Sequence, residues 1–128
     1  MGKKGQSAIE LIMIVGVVIV FFIIFMIILI GNLSDSSKKK EELYLKDLAL
    51  QVQSEIHLAS ESSDGYIRDF RLPLNLQGRA YMINITDSRV WVRTDLNSIS
   101  LNVEDVKGDI KKGNNTIRKN QGIVYLNQ

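Results

Sequence analysis

The sequence predicts an α+β fold: a long N-terminal α-helix, membrane-spanning and then amphipathic, packed on a small C-terminal antiparallel β-sheet. Three patterns predict it. An unbroken apolar run extends from Leu11 to Ile30, apolar residues recur at helical spacing from Lys38 to about Ser62, and the period switches to two after Gly65. The expected organisation is a short basic leader over residues 1–5, the long helix over 6–63 with 11–30 as its spanning part, and a β-domain over 64–128.

The apolar run is sized by elementary geometry. Its 20 residues, at about 1.5 Å each, give roughly 30 Å, the thickness of a bilayer's hydrocarbon core. A secretory signal peptide has a shorter apolar region followed by small residues of the A-x-A type, and Ile27-Ile28-Leu29-Ile30-Gly31-Asn32 offers no such site. Lys3 and Lys4 ahead of the run favour a cytoplasmic N-terminus, while Lys38-Lys39-Lys40 behind it pull the other way. Glu10 stands at the very edge of the span. A carboxylate there costs several kcal/mol unless something pairs with it, so an acid at this place marks a functional position. An amine freed by cleavage after Gly5 is the partner most easily supplied.

Roughly 98 residues follow Ile30, enough for one small domain. The chain carries 16 basic and 14 acidic residues, a formal charge of +2. Removing residues 1–5 takes away Lys3 and Lys4 and leaves 16 − 2 = 14 against 14, a balance that argues against nucleic acid as a partner. Cysteine is absent, which excludes disulfides and thiolate metal sites.

Beyond Ile30, Gly31-Asn32-Leu33-Ser34-Asp35-Ser36-Ser37 has modest helix propensity and is a candidate kink or boundary, although no proline forces a break. Leu45, Leu48, Val52, Ile56 and Ala59 then fall at steps of three and four, flanked by Leu43 and Leu50. A helix continuous from Ser7 to about Ser62 is some 56 residues and about 84 Å long. Ser62-Ser63-Asp64-Gly65 ends it. Phe70 and Leu72 alternate ahead of Pro73; Tyr81, Ile83 and Ile85 lead to a turn at Asp87-Ser88, and Val90-Trp91-Val92 returns as the second arm of a hairpin. Ile99, Leu101 and Val103 alternate again. Gly108 to Lys112, Thr116 to Lys119 and Ile123 to Leu126 are expected as further strands, separated by turns at Gly113-Asn114-Asn115 and Asn120-Gln121-Gly122. The β-region is expected as an antiparallel meander, covered on one face by the stripe from Leu45 to Ala59.

This layout resembles that of an archaeal type IV pilin carrying a class III signal peptide. The family signature runs glutamine, any, serine, any, glutamate, three of any, leucine, directly after a short basic leader ending in glycine. Gln6 and Glu10 match it, while Ala8 stands at the serine position and Ile14 at the leucine position. The motif covers nine residues, and the leader, long apolar helix and C-terminal β-domain extend the resemblance over the full length.

The resemblance implies a mechanism. A membrane-embedded prepilin peptidase cuts between Gly5 and Gln6, with Lys3 and Lys4 holding the leader on the cytoplasmic side. The subunit waits in membrane lipid as a single-pass protein with its N-terminus in the cytoplasm. It is then built, by an assembly ATPase and a platform protein, into an extracellular surface filament of itself and other pilin subunits that serves adhesion. Glu10 faces the amine of Gln6 on a neighbouring subunit. No cofactor is implied.

Other features receive plainer readings. His57 is a helix-face residue, with no second His, no Cys and no motif around it. Glu104, Asp105 and Asp109 match no calcium-loop spacing, and Lys38-Lys39-Lys40 reads as a solvated charge run near the interface. No acid, base or nucleophile constellation points to an enzyme. Three N-x-S/T sequons begin at Asn32, Asn84 and Asn114; Asn84 and Asn114 are the glycan candidates, with Asn114 at an expected turn tip and Asn32 shielded. The alternative to a filament subunit is a non-polymerising, membrane-anchored binding protein with a small extracellular β-domain. A flagellar-type filament protein is a third.

Overall fold

The computed structural model describes residues 3–128 and comprises α1 (Lys3–Glu61), β1 (Ile67–Leu72), β2 (Met82–Thr86), β3 (Arg89–Arg93), β4 (Ser98–Asn102), β5 (Val106–Lys107), β6 (Gly113–Asn120) and β7 (Ile123–Leu126). Its backbone divides into two compact units between Ser37 and Lys38. The division falls inside α1, so the second part of the helix belongs to the same unit as the strands. Helical hydrogen bonding nevertheless continues through Gly31 to Ser37. Ser37 Oγ donates to the Leu33 carbonyl at 3.1 Å, a local bond that lets serine sit within a helix.

In the first unit every large apolar side chain from Leu11 to Ile30 is exposed, at 40–71%. The apolar residues cover the whole circumference rather than one face. Such a helix is stable in lipid or among other helices, where apolar surface meets apolar surface.

In the second unit the amphipathic stripe is as the periodicity indicates. Leu45, Leu48, Val52, Ile56 and Ala59 are buried, joined by Ala49, while Leu43 and Leu50 face solvent. The core cluster combines them with Phe70, Leu72, Tyr81, Val90, Val92, Ile117, Val124 and Leu126 from the strands and their connections. Hydrogen bonds reinforce the seam: Gln51 Nε2 donates to the Arg71 carbonyl at 3.3 Å and Gln53 Nε2 to the Asn102 carbonyl at 2.6 Å.

The strands form two sheets, not one meander. A four-stranded sheet runs β1-β6-β7-β5, with β5 parallel to β7, and a three-stranded antiparallel sheet runs β2-β3-β4. The hairpin expected around Asp87-Ser88 is present, with Asn84 opposite Trp91 and Val90 opposite Leu101 on the third strand. Asp87 and Ser88 both take positive φ, 54° and 56°, as a two-residue turn of type I′ requires. The Gln121-Gly122 turn between β6 and β7 is built likewise.

Two expectations in the last third are corrected. Gly108 to Lys112 is not a strand; the short β5 precedes it. Gly108 turns the chain at φ +105°, where an added Cβ would lie 2.0 Å from the Leu126 carbonyl oxygen, so a glycine is required. Gly113-Asn114-Asn115 is not a turn but opens β6, pairing with β1. The cause is Asn115, which is 1% exposed. Its amide donates to the Lys111 and Gly113 carbonyls, and its Oδ1 accepts from the Lys111 N–H and from Asn127 Nδ2. These bonds close the reversal upstream of the strand and satisfy a buried amide that would otherwise be costly.

Candidate processing and assembly segment

Gln6 and Glu10 lie on the first turns of α1, four residues apart and hence on one face of the helix. Both are exposed, as is Gly5. Helix thus begins within the expected leader, at Lys3, ahead of the Gly5–Gln6 bond. The side chains of Lys3 and Lys4, and residues 1–2 of the leader, lie outside the described residues. Nothing stands within 4 Å of the place where a Cβ on Gly5 would sit.

Directly after Glu10 comes the all-apolar segment, long and apolar enough to cross a membrane and 0% buried. Met13, Gly16, Val17, Val20 and Phe21 form a shallow apolar notch around the missing side chain of Gly16. Notches of this kind let a second helix approach closely.

The second unit holds the remaining polar features. Glu55, 8% exposed, is the one buried carboxylate among the described residues. Arg68 Nε on β1 lies 3.1 Å from Glu55 Oε2, yet that oxygen receives no aligned hydrogen bond. The contact is therefore electrostatic. Glu41 binds the Arg79 guanidinium at 3.4 Å and accepts from the Thr94 hydroxyl, tying α1 to the loops around β2 and β3.

Sequence reasoning left His57 alone and missed its partner. His57 Nδ1 stands 2.7 Å from Glu104 Oε1, contributed by the loop after β4. The hydrogen bond to Glu104 and its negative charge raise the imidazole pKa above 6.5. The same bond lowers the Glu104 carboxyl below its ordinary range. The pair edges an open groove of about 550 Å³ that also involves Leu50, Gln53, Ser54 and Val103. Among the described residues no hydroxyl is hydrogen-bonded to the imidazole in a way that would make it a nucleophile's base; Ser60 Oγ donates instead to the His57 carbonyl at 2.9 Å. Glu104 is thus committed to His57, and Asp105 accepts from the Ser88 hydroxyl. Among the described residues no three His, Cys, Asp or Glu side chains gather where they could hold a metal ion.

The sequon asparagines are placed differently from one another. Asn84 is exposed on the edge strand β2, with Thr86 on the same face and its amide 3.5 Å from the Thr86 hydroxyl. Asn114 is exposed but sits in β6 opposite Arg71 rather than at a turn tip, and Thr116 Oγ1 is engaged with Asp69 at 2.6 Å. Asn32 lies within α1, and the side chain of Ser34 lies outside the described residues. No protein-family model, curated protein or solved structure matches the chain.

Proposed function

We propose that the chain is a structural subunit of an archaeal type IV pilus-like surface filament, held in the membrane as a precursor, cleaved after Gly5 and assembled through its apolar helix. The observation that carries this reading is the placement of Gln6 and Glu10 on one exposed helix face, immediately before 20 residues of uncovered apolar helix. Lipid covers that surface before assembly and neighbouring helices cover it afterwards, so little hydrophobic free energy changes in the transfer. What then selects the register is charge. The new amine of Gln6 and the carboxylate of Glu10 on an adjacent subunit are both desolvated, and leaving one unpaired costs about 3–5 kcal/mol.

Within this reading Lys3 and Lys4 retain the leader at the cytoplasmic face for the peptidase. An assembly ATPase and platform protein extract the mature subunit, and the second unit forms the filament surface, where it serves adhesion. The test is the N-terminal peptide and intact mass of protein recovered from sheared cell-surface filaments. A mature terminus at Gln6 supports the reading; an intact Met1 or Gly2 terminus on filaments overturns the processing step. Replacing Gly5 by leucine should block cleavage while leaving the helix in place, because leucine favours a helix and its Cβ would meet nothing within 4 Å. Protein confined to the membrane fraction, never in filaments, favours the non-polymerising anchored binding protein instead.

A further inference from the structure

The three-stranded sheet turns one face to the core and the other to solvent. At the centre of the solvent face is Trp91, 39% exposed, with Asn84 directly opposite on β2 and Ser100 directly opposite on β4. Arg89 and Arg93 lie two residues to either side along β3, both exposed and on the same face. Strand geometry sets each of them about 7 Å from Trp91 along the chain. Arg68 and Arg79 are paired with carboxylates and Arg118 stacks on Tyr125. Arg89 and Arg93, by contrast, have no ion pair or side-chain hydrogen bond among the described residues. No aspartate or glutamate occupies an outward position of the three strands.

We propose that this face docks an acidic polysaccharide, one sugar ring lying on the Trp91 indole with carboxylates of the flanking sugars paired to Arg89 and Arg93. The arginine fork matches a carboxylate's two oxygens, and Asn84 and Ser100 present an amide and a hydroxyl to the sugar's own hydroxyls. The dimensions favour a glycan over a folded partner. Nine outward positions, each about 7 Å by 5 Å, make roughly 300 Å², well below the roughly 800 Å² that each side of a stable protein interface buries. A single aromatic on a flat sheet also falls short of the successive stacking sites and charged groove that single-stranded nucleic acid uses. The inference goes beyond filament assembly and does not depend on it.

Trp91 is the chain's one tryptophan, so its fluorescence reports on this face alone. The full chain in detergent micelles, produced without glycosylation, is titrated with alginate oligosaccharides, neutral dextran and oligo-dT. Alginate should change the Trp91 emission saturably, the effect weakening as salt rises, while dextran leaves it unchanged. The Arg89→Gln/Arg93→Gln variant should keep its circular dichroism and lose at least tenfold in alginate affinity. Trp91→Phe, followed by calorimetry, should bind more weakly at unchanged melting temperature. An unchanged emission with alginate, an equal response in the double variant, tighter binding of oligo-dT, or an emission change that follows protein concentration alone would each overturn the proposal.

Discussion

Lys119 Nζ, reaching from β6, donates to the Ser60 carbonyl at 2.5 Å and also to the Ser62 carbonyl at 2.9 Å. The last carbonyls of a helix have no intrahelical donors and carry the negative end of its dipole, so a cation there satisfies both. Lys119→Met keeps the aliphatic stem and removes the charge. It should cost about 1.5–3 kcal/mol, the range for hydrogen bonds to charged groups, and lower the melting temperature of the second unit by several degrees. An unchanged melting temperature would mean that water replaces the ammonium at no cost.

The His57–Glu104 pair gives stability a pH signature. The folded imidazole's pKa is raised above 6.5, so its contribution is full below about that pH and is lost as pH rises through the raised value. The folded Glu104 carboxyl is lowered from 4.5, so its contribution is present above that pH and is lost as pH falls through the lowered value. Glu61 adds a smaller attraction for the charged imidazole. The melting-temperature difference between the native chain and His57→Ala should peak between about pH 4.5 and 6.5 and shrink on both sides. A difference that is flat from pH 4 to 8 would show that the pair does not stabilise the fold through charge.

The two faces of the second part of α1 should respond unequally to truncation. Leu48 is 4% exposed and Leu50 is 41% exposed. Leu48→Ala should destabilise by about 2–5 kcal/mol through lost burial and a residual cavity. Leu50→Ala should stay within about 0.5 kcal/mol. Chemical denaturation of the two variants side by side provides the check, and equal midpoints would place the wrong face against the sheets.

On the proposed assembly reading, Glu10→Gln should leave membrane insertion intact and abolish or strongly reduce filaments. Insertion survives because Leu11 to Ile30 supplies the spanning length and removing a charge makes insertion easier. Assembly fails because the amine of Gln6 is left without its carboxylate in an apolar core. Filament counts beside membrane-fraction protein level decide the matter. Normal filaments at normal protein level would remove Glu10 from the mechanism.

Local patterns determined much of this protein. The apolar run, the buried stripe from Leu45 to Ala59 and the hairpin about Asp87-Ser88 follow from periods of 3.6 and two and from turn chemistry, all properties of neighbouring residues. Strand partnership beyond strands joined by a tight turn was not legible, because alternation says that a segment is a strand and not which strand it meets. Only tertiary packing decided that β1 pairs with β6 across more than forty residues, that β5 lies parallel to β7, and that the β-region splits into two sheets. The same holds for the polar contacts. Gln6 and Glu10 can be placed on one helix face by counting, whereas the pairing of His57 with Glu104, of Lys119 with the end of α1, and of Asn115 with the loop that displaces the expected turn joins side chains to groups that folding alone brings together. Trp91 between Arg89 and Arg93 is an intermediate case: their spacing of two puts them on one face from sequence alone, but packing of Val90 and Val92 into the core decided that this face points to solvent.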